Sequence, residues 1–324
     1  MRELIKIAII AMLVAWSTTA MAVMPDNALR VGTYNIRYSQ GDRNTVNTWT
    51  ERKGDLAQLV RDLKLDVFGM QEVCPDQAEY LRDRLPEFEF VGEHREADRK
   101  SGEASPVCYR RSRFVAEKSG TFWLSETPEV PASKSWNTCC TRVCSYLVLK
   151  DKVSARRFCF ANTHTDHRSA EAREKGMLLI IERMKVFGSG APIIFTGDHN
   201  CTEIDAPALA VAKKLDNALY LTETPPQGGW RTWNGWKWRL PEVSVQEALT
   251  LTKKERNVYA PAGKVVDKVN EPNFYLKCGG PRIDYIYVSH GVRVLDYSTV
   301  NSARPGFNTY PSDHFPVVAT IVLP

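Results

Sequence analysis

The 324-residue chain is 43% hydrophobic and 25% charged, with a formal net charge of +5. That balance fits an ordinary globular protein and excludes a membrane-embedded or disordered chain. The mild positive surplus is compatible with phosphate-bearing substrates but too small for the basic stripe of a dedicated nucleic-acid binder.

The chain opens with an export pattern. Arg2 and Lys6 precede an apolar run from Ile7 to Trp16, and Ala20-Met21-Ala22 supplies an A-x-A cleavage pattern. The run is about half of the roughly twenty residues a bilayer crossing needs. Residues 1–22 are therefore expected to be a cleaved signal peptide and 23–324 a single domain, periplasmic or extracellular. No Ser/Gly linker, charge block or repeat divides it. Neither stable membrane insertion nor an obligate protein partner is expected.

Residues 28–37 (ALRVGTYNIR) read as a buried strand ending at Asn35. A helix follows, with a capping box at Thr48-x-x-Glu51 and an apolar face at Leu56, Leu59, Val60 and Leu63. Asp66–Met70 is a short apolar strand running into Gln71-Glu72. Further strands fall near 105–110, 113–124, 145–150 and 157–163. A second helix covers about 169–186, with Met177, Ile180, Ile181 and Met184 on one side. The strand 192–196 stops at Gly197-Asp198, and a short helix lies near 206–215. An irregular stretch, about 221–280, is rich in Trp, Pro and Lys. Strands at 282–289, 292–300 and 315–323 close the chain. Many strands with few helices in mixed order predict packed sheets with helices outside.

The polar residues are informative by position. Asn35, Glu72, His164 and Asp198 each end an apolar strand or follow it by one residue, and Asp313-His314 stands at the mouth of the last. Buried strands hold such ends rigidly, so several can converge on one cleft. Carboxylate and amide oxygens suit Mg²⁺, Mn²⁺ or Ca²⁺ rather than zinc. Such an ion binds a phosphoryl oxygen, and imidazoles donate to the phosphate or leaving group.

The strings TYNIR (33–37), GMQEV (69–73), GTFWLSETP (120–128), NTHTDH (162–167), FTGDHN (195–200), RIDYIYVS (282–289) and SDHFPVV (312–318) resemble, in order, those of the endonuclease/exonuclease/phosphatase superfamily. The FWLSETP string is most similar to its deadenylase-like branch. The resemblance implies an α/β fold, a four-layer sandwich of two packed mixed β-sheets flanked by helices. It implies metal contacts at Glu72, Asn35 and Asp313. It implies that Asp198 orients and deprotonates the attacking water, that Asn200 positions it, and that His164 contacts phosphate. It further implies that His314 stabilises or protonates the departing oxygen, with Asp284 orienting it, and Glu103 is read as supporting His164.

His199 occupies a position that is usually hydrophobic and, by strand alternation, should point away from Asp198 and Asn200. In the Trp230–Trp238 run, Trp233 and Trp236 are candidates for a substrate platform, and packing is the competing reading. All eight cysteines lie beyond residue 22. With no histidine near Cys139-Cys140-x-x-x-Cys144 in sequence, a loop disulfide is expected there. The reading is thus a metal-dependent phosphoesterase. Its substrate class is open among nucleic acid, phospholipid head groups, inositol phosphates and other phosphorylated small molecules. The opposing class is a non-catalytic binding protein on the same scaffold.

Overall fold

The apolar runs become two mixed sheets in the computed structural model, which describes residues 25–238, 243–249, 280–304 and 306–324. The expected signal peptide and residues 250–279 lie outside the described residues. Along the chain the elements are β1 (Leu29–Asn35), α1 (Trp49–Asp62), β2 (Val67–Gln71), α2 (Pro75–Arg84), β3 (Phe88–Val91) and β4 (Val107–Arg110). They continue with β5 (Phe114–Trp123), β6 (Val143–Asp151), β7 (Arg157–His164), α3 (Ala170–Gly188), β8 (Ile193–Asp198), α4 (Ala206–Ala212) and β9 (Asp216–Asn217). The last are β10 (Gln227–Gly228), β11 (Asp284–Val288), β12 (Arg293–Thr299) and β13 (Val317–Val322).

One sheet has the order β10-β12-β13-β1-β2-β4-β3 and the other β5-β6-β7-β8-β11-β9. The core divides by layer. Val31, Val67 and Val317 of the first sheet meet Phe160, Ile194 and Ile286 of the second. Leu56 and Val60 of α1 and Leu81 of α2 cover Phe68 and Met70 on the outside of the first sheet. Met177, Ile180, Ile181 and Met184 of α3 cover Phe195 and Tyr285 on the outside of the second. This is the expected four-layer sandwich. Because β1 and β2 run parallel, and β7 and β8 likewise, each pair delivers its carboxyl-terminal residues to the same edge.

Two local readings are corrected. Thr48 precedes α1 but makes no side-chain cap hydrogen bond; the entry is instead held by Arg52, whose Nε donates to Asn47 O at 3.0 Å. Ser169 does cap α3, its hydroxyl accepting from Ala172 N at 3.1 Å. The sequence reading also passed over α2, which buries only Gln77, Ala78 and Leu81. So few apolar positions leave little periodicity to detect, although Pro75 occupies a favoured first-turn position. Among the described residues no helix is long and apolar enough to cross a membrane.

Candidate active site

The carboxyl ends of the central strands converge as their polarity suggests. Asn35 of β1 donates through Nδ2 to Glu72 Oε1 at 3.0 Å and to Asp198 Oδ2 at 2.9 Å, joining the first sheet to the second. Glu72 follows β2 in the left-handed region (φ 62°), an uncommon conformation for a side chain that clusters at functional sites. Its Oε2 accepts from Tyr38 N at 2.9 Å. His164 ends β7, with Nε2 3.4 Å from Asp198 Oδ2 and 2.9 Å from Asn200 Nδ2. Asp284 opens β11 directly opposite Asp198 in the antiparallel ladder. Its Oδ2 lies 2.9 Å from His314 Nδ1, leaving His314 Nε2 facing Asp198 Oδ2 at 3.7 Å.

Asp198 is therefore flanked by two imidazoles and an amide. Burial and the Asp284 charge push its carboxyl up to about 7. Burial alone would keep His314 neutral, but Asp284 and Asp198 overcome it and raise the imidazole to about 10. His164 goes the other way, held well below the ordinary histidine range by burial, Arg142 and the His314 charge. The site thus pairs a cationic and a neutral histidine around one carboxyl poised near neutrality, a separation of roles typical of acid/base chemistry.

Glu72, His164, Asp198, Asn200 and His314 line a cavity of about 680 Å³ that also receives Arg37, Arg95, Arg142 and Asp313. Arg37 Nη1 stands 3.6 Å from Asp313 Oδ2. Glu103 is in the lining, but its nearer partner is Arg95 (2.9 Å), with His164 Nδ1 at 3.8 Å. His199 points away as expected, buried and stacked on Tyr287 with ring centroids 5.6 Å apart.

The Trp run does not form one platform. Trp233 is 37% exposed and lines the cavity, whereas Trp230 is buried in the intersheet core. Trp236 lies beside Arg52 and Trp238 packs on Tyr310. The surrounding backbone belongs to the site. Trp233 bridges His314, Asn234 N donates to Asp313 O at 2.8 Å and Phe315 N to Thr232 O at 2.7 Å. Thr232 Oγ1 accepts from Asp284 N at 3.1 Å.

Other positioning residues escaped the sequence reading. The buried Arg52 guanidinium donates to Ile36 O and Arg37 O at 2.6 Å and to Pro311 O at 3.0 Å, tying the end of β1 to the loop before Asp313. Ser312 Oγ donates to Asn35 O at 2.7 Å. Between the sheets, Asn162 Nδ2 donates to Met70 O at 2.7 Å, and its Oδ1 accepts from Gln71 Nε2 at 2.7 Å. An arginine in a helix or an asparagine in a strand carries no local sign of such long-range work.

The cysteine reading is corrected as well. Among the described residues no disulfide forms. Cys144 is buried within β6, and the Cys139 and Cys140 sulfurs lie 3.2 Å apart, beyond the S–S bond length. The fold also brings Asp166 and His167 to them, a proximity hidden by the sequence separation.

The donor set fits a hard divalent cation. Ligand atoms of Glu72, His164 and Asp198 lie within 4.8 Å of one another. Glu72 and Asp313 present carboxylate oxygens to the same cavity, and buried His164 Nδ1 has no hydrogen-bond partner. Oxygen-rich sets of this kind suit Mg²⁺ or Mn²⁺. Asn35 Oδ1 accepts from Arg37 N at 3.0 Å, and its Nδ2 bridges the carboxylates of Glu72 and Asp198.

A fold of two sheets with this edge chemistry defines a phosphoester-cleaving class. The family model described as the endonuclease/exonuclease/phosphatase family matches residues 32–314, and the chain belongs to that family. It is similar to an endonuclease/exonuclease/phosphatase from Bacteroides vulgatus (27% identity, TM-score 0.74, covering 92% of this chain and 99% of that one). It is also similar to the Bacteroides thetaiotaomicron mannosyl-6-phosphatase (29% identity, TM-score 0.72, covering 91% and 100%). Homo sapiens tyrosyl-DNA phosphodiesterase 2 is 24% identical over 171 residues, which is 52% of this chain and 41% of that protein. The match thus spans less than half the length of that curated relative.

Proposed function

We propose that this chain is an exported, divalent-cation-dependent phosphoesterase that hydrolyses a small phosphorylated substrate with water activated at Asp198. The observation that carries the reading is the placement of Asp198 between Asn35, His164 and His314, at 2.9, 3.4 and 3.7 Å. Glu72, braced by Asn35, and Asp313 would hold the cation. When bound, it would neutralise charge developing on a phosphoryl oxygen. Asp198 accepts the proton of the attacking water, and Asn200, anchored to Thr165 O at 3.1 Å, fixes the geometry of that water. His164 and Arg142 contact the phosphate. Cationic His314 faces the departing oxygen and donates its Nε2 proton, while Asp284 holds Nδ1.

A cavity of about 680 Å³ is of small-molecule size, and its arginines suit a compact, multiply charged phosphate. Together with the mannosyl-6-phosphatase likeness, this favours a sugar phosphate or similar monoester. Phosphodiesters, nucleic acid included, are the second reading, supported by the phosphodiesterase relative. Assaying hexose 6-phosphates, an aryl diester and a 5′-tagged oligonucleotide, with and without EDTA, separates the two. The reading expects Mg²⁺- or Mn²⁺-dependent turnover of at least one substrate, highest on the monoester. Turnover undiminished by chelator would sink the mechanism. Export is tested by fusing residues 1–22 to a reporter that is active only outside the cytoplasm.

A further inference from the structure

At the edge of the cavity, whose lining includes Cys140 and His167, the loop between β5 and β6 meets the turn between β7 and α3. Cys139 Sγ lies 3.2 Å from Cys140 Sγ, 3.0 Å from Asp166 Oδ2 and 3.6 and 3.7 Å from the two ring nitrogens of His167. Cys140 Sγ is 4.0 Å from the same Asp166 oxygen. Asp166 is buried, the cysteines are half-buried and His167 is exposed. We propose that Cys139, Cys140, Asp166 and His167 form a second cation site, selective for a thiophilic divalent ion of the Zn²⁺ class and separate from the oxygen-donor site at Glu72.

The geometry supports ligation over a chance cluster. An ion with metal–sulfur bonds of about 2.3 Å and metal–nitrogen bonds of about 2.0 Å in a tetrahedron separates its ligands by about 3.3–3.8 Å. The distances here, from 3.0 to 4.0 Å, bracket that window, with the two sulfurs having to part slightly, and two thiols with an imidazole are the donors such ions prefer. Hydrogen bonding alone accounts for the cluster less well. Asp166 Oδ2 already lies 2.8 Å from Thr138 Oγ1 and accepts from Cys139 N at 3.0 Å, so two weak thiol donors add little. Thr138 Oγ1 has one proton and an alternative acceptor, Cys140 O at 2.8 Å. Arg142 Nη2 stands 3.1 Å from His167 Nδ1, and ligation through that nitrogen displaces the guanidinium. Bound metal would thus staple the rim loop to the start of α3 next to the cavity.

Titrating Cd²⁺ into the reduced, metal-stripped full chain tests the site, because thiolate–cadmium charge transfer absorbs in the ultraviolet. The site predicts a band that saturates at one equivalent and is bleached by competing Zn²⁺. The band should vanish in the Cys139→Ser/Cys140→Ser double variant. It should need at least tenfold more Cd²⁺ in His167→Ala, an exposed substitution that spares folding. Glu72→Gln should leave it unchanged, which separates this site from the catalytic one. No band in the wild-type chain, a band surviving the double substitution, or an unaltered His167→Ala titration would each overturn the proposal.

Discussion

Replacing Asp284 with Asn probes the electrostatics of the site most directly. The side chains are nearly isosteric, and both flank His314 Nδ1, now 2.9 Å from Asp284 Oδ2. What changes is one buried charge. A unit pair at about 4 Å and an effective dielectric of about 20 interacts by on the order of 4 kcal/mol. At about 1.4 kcal/mol per pKa unit, that is roughly three units. His314, raised to about 10 in the wild type, should fall back towards the ordinary histidine value of 6.5. A cationic proton donor at His314 makes the wild-type kcat/KM fall only as pH rises towards 10. In Asp284→Asn the fall should come two to three units earlier, which for a three-unit shift leaves a loss of about tenfold at pH 8, approaching 10²-fold at pH 9, and little loss near pH 6. The acidic limb follows Asp198, whose base form grows as pH rises through about 7; removing the Asp284 charge, or adding a cation at Glu72, moves that limb down.

The stability sign is fixed by the same shift. A group raised in the fold contributes stability fully present below its unfolded pKa and lost as pH rises through the folded value. The Asp284–His314 contribution should therefore fade between about pH 6.5 and 10. The melting-temperature gap between wild type and variant should close over that window. A pH–rate profile on an aryl phosphoester, with melting curves at each pH, measures both. An alkaline limb in the same place for both proteins would refute the charge-pair account.

Glu72→Gln should raise the Mg²⁺ or Mn²⁺ concentration for half-maximal activity at least tenfold, measured by titrating metal into chelated enzyme. Asp198→Ala and His314→Ala should each lower kcat by roughly 10²-fold or more, the scale of a lost acid or base, while circular dichroism shows a native fold. Trp233→Ala should raise KM with little change in melting, since the ring is part of the cavity wall. Trp236→Ala should mainly lower the melting temperature, because that ring lies 5.7 Å from the Arg52 guanidinium that ties β1 to residue 311. Gly69→Ala should destabilise the fold by about 1–3 kcal/mol or more in denaturant titration, because an added Cβ would sit 2.1 Å from Asn162 Oδ1.

Much of this site was legible because polar residues at the ends of apolar strands announce themselves. Asn35, Glu72, His164 and Asp198 interrupt apolar runs at the residue where burial ends. Asp284 and His314 were paired by the family likeness, and the strand ladder that sets Asp284 opposite Asp198 supplies the physical reason. What stayed hidden is what depends on residues distant in sequence. Cys139 and His167 meet only because β6 and β7 are neighbours, and Arg52 reads as one more charged helix residue until its carbonyl partners are in view. The Trp run misled for a related reason. Four aromatics in nine residues suggest one surface, but turns at Trp236 (φ 62°) and Gly235 (φ 56°) send the rings in different directions.

The two sheets contribute different halves of the chemistry. Glu72 and Asp313 belong to the first, and His164, Asp198 and Asp284 to the second, so the geometry of the proposed site depends on how far apart the sheets stand. An apolar interface sets that distance loosely, since side chains can repack. A buried hydrogen bond sets it within a few tenths of an ångström, because a stretched one leaves polar atoms unsatisfied. The absence of a side chain at Gly69 lets Asn162 reach across the gap to Met70 O, at 2.7 Å, and Pro106 O, at 3.0 Å. Gln71 answers from the first sheet. Gln71 immediately precedes Glu72, and Asn162 lies two residues before His164, so the bridge fixes the two sheets at the level of the site itself. Asn35, whose amide spans Glu72 and Asp198, repeats the connection one layer nearer the cavity. The asparagine and glutamine in these strands are thus polar exceptions to an apolar core because they hold the two half-sites in register.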